Sequence, residues 1–388
     1  MQSPSPDRLL VPLLSLGNFV IGMGAFVIVG LLEPLGADMG RSAASAGQLL
    51  TIYALAYAVL SPLMVALSGQ VGRRRVLAAA LGLFALAALL SALAPNFATL
   101  GLGRILAAAG AGIFTPVAAA VAAALFPEAQ RARVLAAVFF GLTLSQVLGV
   151  PAGSWIAYSF GWRWAFALVF LLCLPCLWLT WVIVPAGLRF QPVSMADLRQ
   201  TLAEGRMIFA ILFTAAFLGA IYILYTYIAP LLSSGMGYGR DGITLVLLVF
   251  GLGAVCGNLL GGFLADRLGW RGTLVILCLS QMALMPLFSF LPMATLLLAT
   301  LSFAWALFGW AFMPGQQMRL IGLAGPRAPV VLALNAAAIY LGAALGSALG
   351  GLIIAGFGIE AVGIAAGLGS AYALLHLLLS ARLSPRGP

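Results

Sequence analysis

Twelve stretches of mostly apolar residues occupy nearly the whole chain. They run over about 9–32, 45–67, 76–94, 98–124, 132–157, 164–185, 206–230, 242–265, 272–291, 294–318, 329–355 and 361–381. A helix rising about 1.5 Å per residue needs roughly 20 residues to cross about 30 Å of hydrocarbon. Lipid offers no hydrogen-bond partners, so the backbone of each stretch must satisfy itself as a helix. The fold expected is therefore an all-α integral membrane protein with twelve transmembrane helices. A water-soluble alternative fails on charge. Of 388 residues, 63% are hydrophobic and only 7% charged, too few to coat a water-facing exterior.

The 19 basic residues are all arginine and, against 9 acidic ones, give a net charge of +10. They are dispersed between apolar runs rather than gathered into a nucleic-acid footprint, so no nucleic-acid partner is expected. With the N-terminus placed in the cytoplasm, Arg41, Arg104, Arg163 and Arg240 fall outside and the other fifteen arginines inside. That bias follows the positive-inside rule and puts both termini in the cytoplasm. The longest polar connection, 186–205, then reads as a cytoplasmic linker between two six-helix bundles, 1–185 and 206–388. Gly22 and Gly219, Gly72 and Gly269, Gly149 and Gly346, and Gly153 and Gly350 are each 197 residues apart. Parallel repeats of this kind build one broad class of transporters, with the substrate site between the halves.

Several motifs carry more specific information. "ALSGQVGRRR" (66–75) and "FLADRLGWRG" (263–272) are the same basic turn in the two halves, but only the second has an acid, Asp266. "FVIVGLL" in the first run, "SAGQL" opening the second, "PNFATLGLGRILAA" (95–108), "GVPAGSWIAYSFGWRWAF" (149–166) and "GNLLGGFLADRLG" (257–269) accompany them. Together, in this order, they resemble the major facilitator superfamily, and more closely its twelve-helix drug:proton antiporter branch of bacterial sugar, nucleoside and drug exporters. The resemblance covers nearly the whole chain. It implies two pseudo-symmetric six-helix bundles in a bacterial inner membrane, working as a monomer by alternating access. It also implies a small-molecule substrate and protons as the coupling ion.

The resemblance makes Asp266, Arg267, Gly269 and Arg271 a charge latch across the halves, and Arg73, Arg74 and Arg75 a weakened copy of it. Both turns also read as plain topology anchors. Gly149, Pro151 and Gly153 are expected to bend and thin the fifth helix at the interface between halves, as an export signature or as a generic kink. Gly253, Gly257 and Gly261, with Gly342, Gly346 and Gly350, recur every four residues, which suits close static packing and also sliding.

Related exporters often carry a glutamate where this chain has Ala25, so the usual embedded carboxylate is absent. Arg104, inside the fourth run, is a candidate for proton transfer or a snorkelling side chain. Glu33 and Asp38 are the carboxylates that could substitute, while His376 reads as peripheral packing. Without that acid, an uncoupled facilitator or importer is an alternative, and a non-transporting sensor or scaffold another. The expected cavity lining is Asn18, Phe26, Tyr53, Tyr57, Gln146, Tyr222, Tyr225, Trp305, Trp310, Asn335 and Tyr340. Aromatics there would stack on a neutral or amphiphilic ligand. Cys173, Cys176, Cys256 and Cys278 read as buried, inert thiols. No nucleotide loop, metal-ligand cluster or catalytic triad stands out, so no enzyme activity, cofactor or metal is expected.

Overall fold

A computed structural model describes residues 8–188 and 195–383. Residues 189–194 of the expected linker and both termini lie outside this range, as do Asp7, Arg189 and Arg386. The chain folds into helices α1 (Leu10–Phe26), α2 (Leu32–Met39), α3 (Ala43–Leu67), α4 (Arg73–Ala92), α5 (Phe97–Leu125), α6 (Glu128–Leu144), α7 (Val150–Phe160) and α8 (Trp162–Ile183). There follow α9 (Met195–Ala203), α10 (Gly205–Tyr225), α11 (Ile228–Met236), α12 (Arg240–Leu284), α13 (Thr295–Trp310), α14 (Phe312–Ala324), α15 (Ala328–Phe357) and α16 (Ala361–Leu383).

Among the described residues, eleven continuous segments are long and apolar enough to cross a membrane. The longest, Arg240–Phe290, has 51 residues, more than two hydrocarbon thicknesses at about 1.5 Å per residue. It turns at Gly269, whose φ of 65° and ψ of 172° leave the helical region. A left-handed φ is open to glycine at no steric cost. The segment therefore makes two crossings, and the chain has twelve.

Local chemistry explains the other ends. Asn96 caps α5 by accepting from the Thr99 amide at 2.9 Å, and Ser42 caps α3 through Ser45 at 3.2 Å. Both are preferred N-cap residues. The β-branched run Val27–Val29, closed by Gly30, tightens the end of the first crossing into a 3₁₀ turn. In the fifth crossing, Pro151 lacks an amide proton, and the chain widens into a π turn over Ser145–Gly149 just before it.

The repeat is visible in packing. A Cβ on Gly22 would meet Ser145, and one on Gly219 would meet Gly342; Ser145 and Gly342 stand at the same sequence offset as the two glycines. The first crossing thus lies on the fifth as the seventh lies on the eleventh, and the two halves are pseudo-symmetric.

The connector is more than a tether. Its α9 buries Leu198 against Ala210, Ile211, Leu320 and Val331 of the C-terminal half, and Glu204 pairs with Arg327 at 2.6 Å.

Two sequence expectations, for Gly149 with Gly153 and for the thiols, need correction, while the glycine ladders take the static-packing reading. Gly253, Gly257 and Gly261 meet the backbone of α13 and Ala311, while Gly342, Gly346 and Gly350 meet α10 and the residues just after it. All of this lies within the C-terminal half, so the ladders serve static packing. Gly149 and Gly153 likewise face Met23 and Val27 of the first crossing, not the other half. The thinned surface between halves is instead Gly251, whose Cβ would sit 2.5 Å from the Val147 Cα. Finally, Cys256 is exposed, unlike the other three thiols.

Candidate functional site

Aromatic side chains from both halves meet in the middle of the molecule. Tyr57 of α3 stacks on Tyr340 of α15 with ring centroids 3.6 Å apart. Around this pair, Phe26 lies 6.4 Å from Tyr340 and 6.3 Å from Tyr222, and Tyr53 lies 6.1 Å from Tyr340. The network continues through Tyr222 to Tyr225 at 5.6 Å, and from Tyr225 to Trp305 and Trp310 at 6.3 and 5.8 Å. These are offset and edge-to-face separations at which aromatic pairs attract. Gln146 joins them across the halves, accepting from the Tyr225 hydroxyl at 2.9 Å.

Nine of the eleven expected lining residues are thus brought together. Phe250 belongs with them, 4.6 Å from Tyr225, and was not singled out in the sequence; its place on the same crossing as the glycine ladder is the available signal. Asn18 and Asn335 do not join. The Asn18 amide donates to the Val138 carbonyl at 2.9 Å and accepts from Thr115 at 2.9 Å. Asn335 accepts from Thr214 at 2.5 Å. Each bonds within its own half. Among the described residues, two donors in the junction, the Tyr53 hydroxyl and the Trp305 indole N–H, have no partner. A buried polar group left unpaired costs about 1–3 kcal/mol, so these are places where a ligand acceptor would be favoured.

Arg104 stands directly behind the junction, its guanidinium 4.5 Å from the centroid of the Tyr53 ring. It is 1% exposed, so it does not snorkel to the surface. Nη1 and Nη2 donate to the carbonyls of Gly24 and Ala25 at 2.7 and 2.6 Å. Those carbonyls precede the change from α1 to the 3₁₀ turn. Arg104 therefore clamps the break in the first crossing beside the position where related exporters carry glutamate. The cation beside the junction is thus covered by Tyr53 and held by two carbonyls. A second buried arginine, Arg319, is 2% exposed and donates to Ser380 at 2.8 Å. The sequence reading counts it among the inside arginines; it lies within α14. His376 donates to the Phe209 carbonyl at 2.8 Å, its ring tilted against the Phe209 ring at 4.2 Å.

The two ends of the molecule differ. At the arginine-poor end the halves are joined. Glu33 of α2 accepts from Tyr158 of α7 at 2.7 Å and from Ser233 of α11 at 2.7 Å. Ser347 donates to the Gly47 carbonyl at 2.9 Å, and Tyr227 reaches the Ala44 carbonyl at 3.5 Å. Asp38 instead accepts from Trp162 at 3.0 Å and Arg163 at 2.6 Å, a clasp inside the N-terminal half. The indole hydrogen bond, then the guanidinium, hold its carboxyl below the usual range. It stays ionised until the medium is more acidic than an ordinary aspartate requires, which makes it a poor exchanger of protons near neutrality.

At the arginine-rich end no latch is closed. Asp266 and Arg271 are exposed and, among the described residues, make no hydrogen bond or ion pair; Arg267 lies over its own neighbour Phe263 at 4.7 Å. Arg73 is buried and donates to the Gly69 carbonyl at 3.1 Å, Arg74 lies over Trp181 at 4.7 Å, and Arg75 is exposed.

This arrangement defines a polytopic helical membrane protein of repeated halves meeting at an aromatic junction. The chain belongs to the Major Facilitator Superfamily, whose family model matches residues 14–329. It is 35% identical over 374 residues to the inner membrane transport protein YdhP of Escherichia coli strain K12, covering 96% of each chain. It is 27% identical to the uncharacterized MFS-type transporter YbcL of Bacillus subtilis strain 168, again over 96% of each. The fold matches an inward-facing, unoccupied bacterial homologue of the human lysosomal transporter Spinster, with a TM-score of 0.78, 18% identity and 98% of each chain covered. It also matches a D-xylose–proton symporter, with a TM-score of 0.75, 19% identity and 95% of this chain and 96% of that one covered.

Proposed function

We propose that this protein is a secondary transporter of the bacterial inner membrane that exports a small neutral or amphiphilic molecule by alternating access, in exchange for protons. The observation that carries this reading is the asymmetry of the two ends. The halves are hydrogen-bonded together at the arginine-poor end, while among the described residues Asp266, Arg267 and Arg271 at the other end have no partner across the divide. The positive-inside rule makes the arginine-rich end cytoplasmic, so this is the state that accepts substrate from the cytoplasm. The name of the E. coli relative supports the inner membrane as the location. Arg73–Arg75 and Gly149–Gly153 are read as fixed elements of the N-terminal bundle, and the second basic turn as the latch that closes when the molecule opens outward.

The junction suggests the substrate class. A flat apolar body can replace the Tyr57–Tyr340 stack, and a carbonyl or hydroxyl on it can accept from the Tyr53 hydroxyl or the Trp305 N–H. An uncoupled facilitator is the second reading, favoured by one observation: position 25, beside Arg104, carries a methyl group and no carboxylate.

Reconstitution in liposomes with an imposed pH gradient separates these readings. Accumulation of a planar neutral compound against its own gradient is expected. Equilibration indifferent to pH would favour the facilitator, and no flux across a broad panel would overturn transport. In the same assay Asp266→Asn is expected to slow flux about tenfold, since a hydrogen bond to an ionised group contributes about 1.5–3 kcal/mol and 1.4 kcal/mol is tenfold in rate. Expression should be preserved, because the side chain is exposed. Unchanged flux would remove the latch.

A further inference from the structure

We propose that the buried guanidinium of Arg319 is the centre of a phosphate-binding site at the cytoplasmic end of the C-terminal half, filled by the phosphodiester of an inner-leaflet phospholipid or by a free phosphate. The site is separate from the aromatic junction. It needs the cytoplasmic placement of the arginine-rich end, but not the transport reading.

Arg319 is a buried charge with little to hold it. It is 2% exposed, and of its N–H groups only Nη2 has an acceptor, the Ser380 hydroxyl at 2.8 Å. Nε and Nη1 are buried and, among the described residues, meet no partner. No carboxylate pairs with it either; the ion pairs among the described residues are Arg163 with Asp38, Arg240 with Asp241 and Arg327 with Glu204. His376, on the same helix as Ser380, is bonded to the Phe209 carbonyl and offers no negative charge. Arg104 makes the contrast: equally buried, it gives both Nη atoms to carbonyls. Water could meet the free donors of Arg319 but would leave its charge unbalanced, and an unpaired buried charge is costly. An anion supplies what is missing.

The level of the site selects the anion. Arg319 stands little more than one turn inside the end of α14 at Ala324. Ser380 lies in the last turn of α16, and Trp270 is the residue after the bend at Gly269. Three crossings thus converge on the guanidinium within about 8 Å of their cytoplasmic ends, at about 1.5 Å per residue. Just above lie the headgroups of a leaflet rich in anionic phospholipid. A phosphodiester carries one negative charge, which balances one guanidinium, and the planar donors of arginine suit its oxygens.

The surroundings give access. The Trp270 ring covers the guanidinium at 4.9 Å, and that side chain is only half-buried beside a bend; it swings outward to admit the phosphate. Exposed Arg271 follows it, and exposed Arg382 lies two residues after Ser380, so the rim is positive. Gly322, on nearly the same face of α14 as Arg319 and nearer the cytoplasm, is exposed, and a Cβ there would meet nothing within 4 Å. Asp266, the acid on this bend, is exposed and makes no ion pair among the described residues.

The test uses delipidated protein in dodecyl maltoside, a detergent without phosphate. It is titrated separately with phosphatidylglycerol, with dioleoylglycerol (chains without the phosphate) and with inorganic phosphate. Native mass spectrometry counts bound lipid, and the melting midpoint is read beside it. Wild type is expected to hold phosphatidylglycerol tightly and dioleoylglycerol not at all, with a midpoint raised by the former. Arg319→Met should weaken phosphatidylglycerol binding about tenfold. In lipid-free detergent it should melt no lower than wild type, because the unbalanced charge leaves with the side chain. A role confined to packing predicts the reverse, a lower midpoint with unchanged lipid binding. Arg319→Lys keeps the charge without the planar donors and should bind several-fold more weakly, which decides the matter if the Met variant does not fold. A response to phosphatidylglycerol alone assigns the site to lipid, and displacement of that lipid by inorganic phosphate, or a response to inorganic phosphate alone, assigns it to the free anion. Equal binding of the two lipids by wild type, no response to either phosphate, or undiminished binding in a folded variant would overturn the proposal.

Discussion

Gly257→Val is expected to yield no folded protein, while Gly262→Ala, five residues along the same helix, should express normally with an unchanged or slightly higher thermal midpoint. The two glycines differ in what faces them. A Cβ at Gly257 would lie 3.1 Å from the Leu307 carbonyl carbon and against its oxygen, and one at Gly262 would meet nothing within 4 Å. Backbone atoms cannot rotate away as a side chain can. The eighth and tenth crossings would have to separate along the whole row of Gly253, Gly257 and Gly261, each of which abuts backbone of the tenth crossing or the residue that follows its α13. Helices in lipid gain no hydrophobic drive toward one another, so close van der Waals contact is what holds such a pair. Overpacking costs about 1–3 kcal/mol where side chains can yield and more where they cannot. Alanine in place of an unconfronted helical glycine instead gains about 0.5–1 kcal/mol. Size-exclusion profiles and melting midpoints in detergent check both variants. A monodisperse Gly257→Val with a wild-type midpoint would mean that the two crossings do not approach as closely as described.

The same comparison shows what in this molecule was legible beforehand. Lipid imposes a length and a polarity on each crossing, so the apolar runs, their number and the turn at Gly269 could be read directly from residues. The repeat was legible because glycines kept their spacing. Facing was not. Nothing in "GVPAGSW" tells whether Gly149 and Gly153 turn toward the first crossing or toward the other half, because a glycine has no side chain to declare a side and apolar residues surround it all round. The burial of Arg319 was hidden for a similar reason: in a chain whose crossings end in arginine, a buried guanidinium looks like one at the headgroup until its neighbours Ser380 and Trp270 are seen. The aromatic junction was largely recoverable, since rings at mid-depth in facing crossings have few other places to go. Asn18 and Asn335 went astray because an amide that would suit a ligand equally suits a carbonyl or threonine on the next helix.

Arg104→Met is expected to abolish transport while leaving a folded protein, and Arg104→Lys to retain less than about a tenth of wild-type flux. The reasoning is a balance of two comparable terms. Removing the guanidinium orphans the Gly24 and Ala25 carbonyls, at about 1–3 kcal/mol each. It also removes a charge whose burial in a bilayer costs about 2.5–3.5 kcal/mol on insertion scales. Global stability therefore changes little, and the melting midpoint should move by only a few degrees. Local geometry does not escape so lightly. The clamp fixes the point where α1 gives way to the 3₁₀ turn just after Phe26, and the guanidinium lies 4.5 Å from the Tyr53 ring and 5.9 Å from that of Phe166. Loosening it disorders the wall against which a ligand would stack, and misplacement of about 1 Å can cost a hundredfold in rate. Lysine keeps the charge but offers a compact ammonium in place of a planar fork, so it cannot donate to both carbonyls in the observed geometry. Flux in liposomes, measured beside the melting midpoint, decides the matter. Wild-type flux in Arg104→Lys would show that positive charge alone suffices there, and an unfolded Arg104→Met would show that the clamp serves folding before it serves the site.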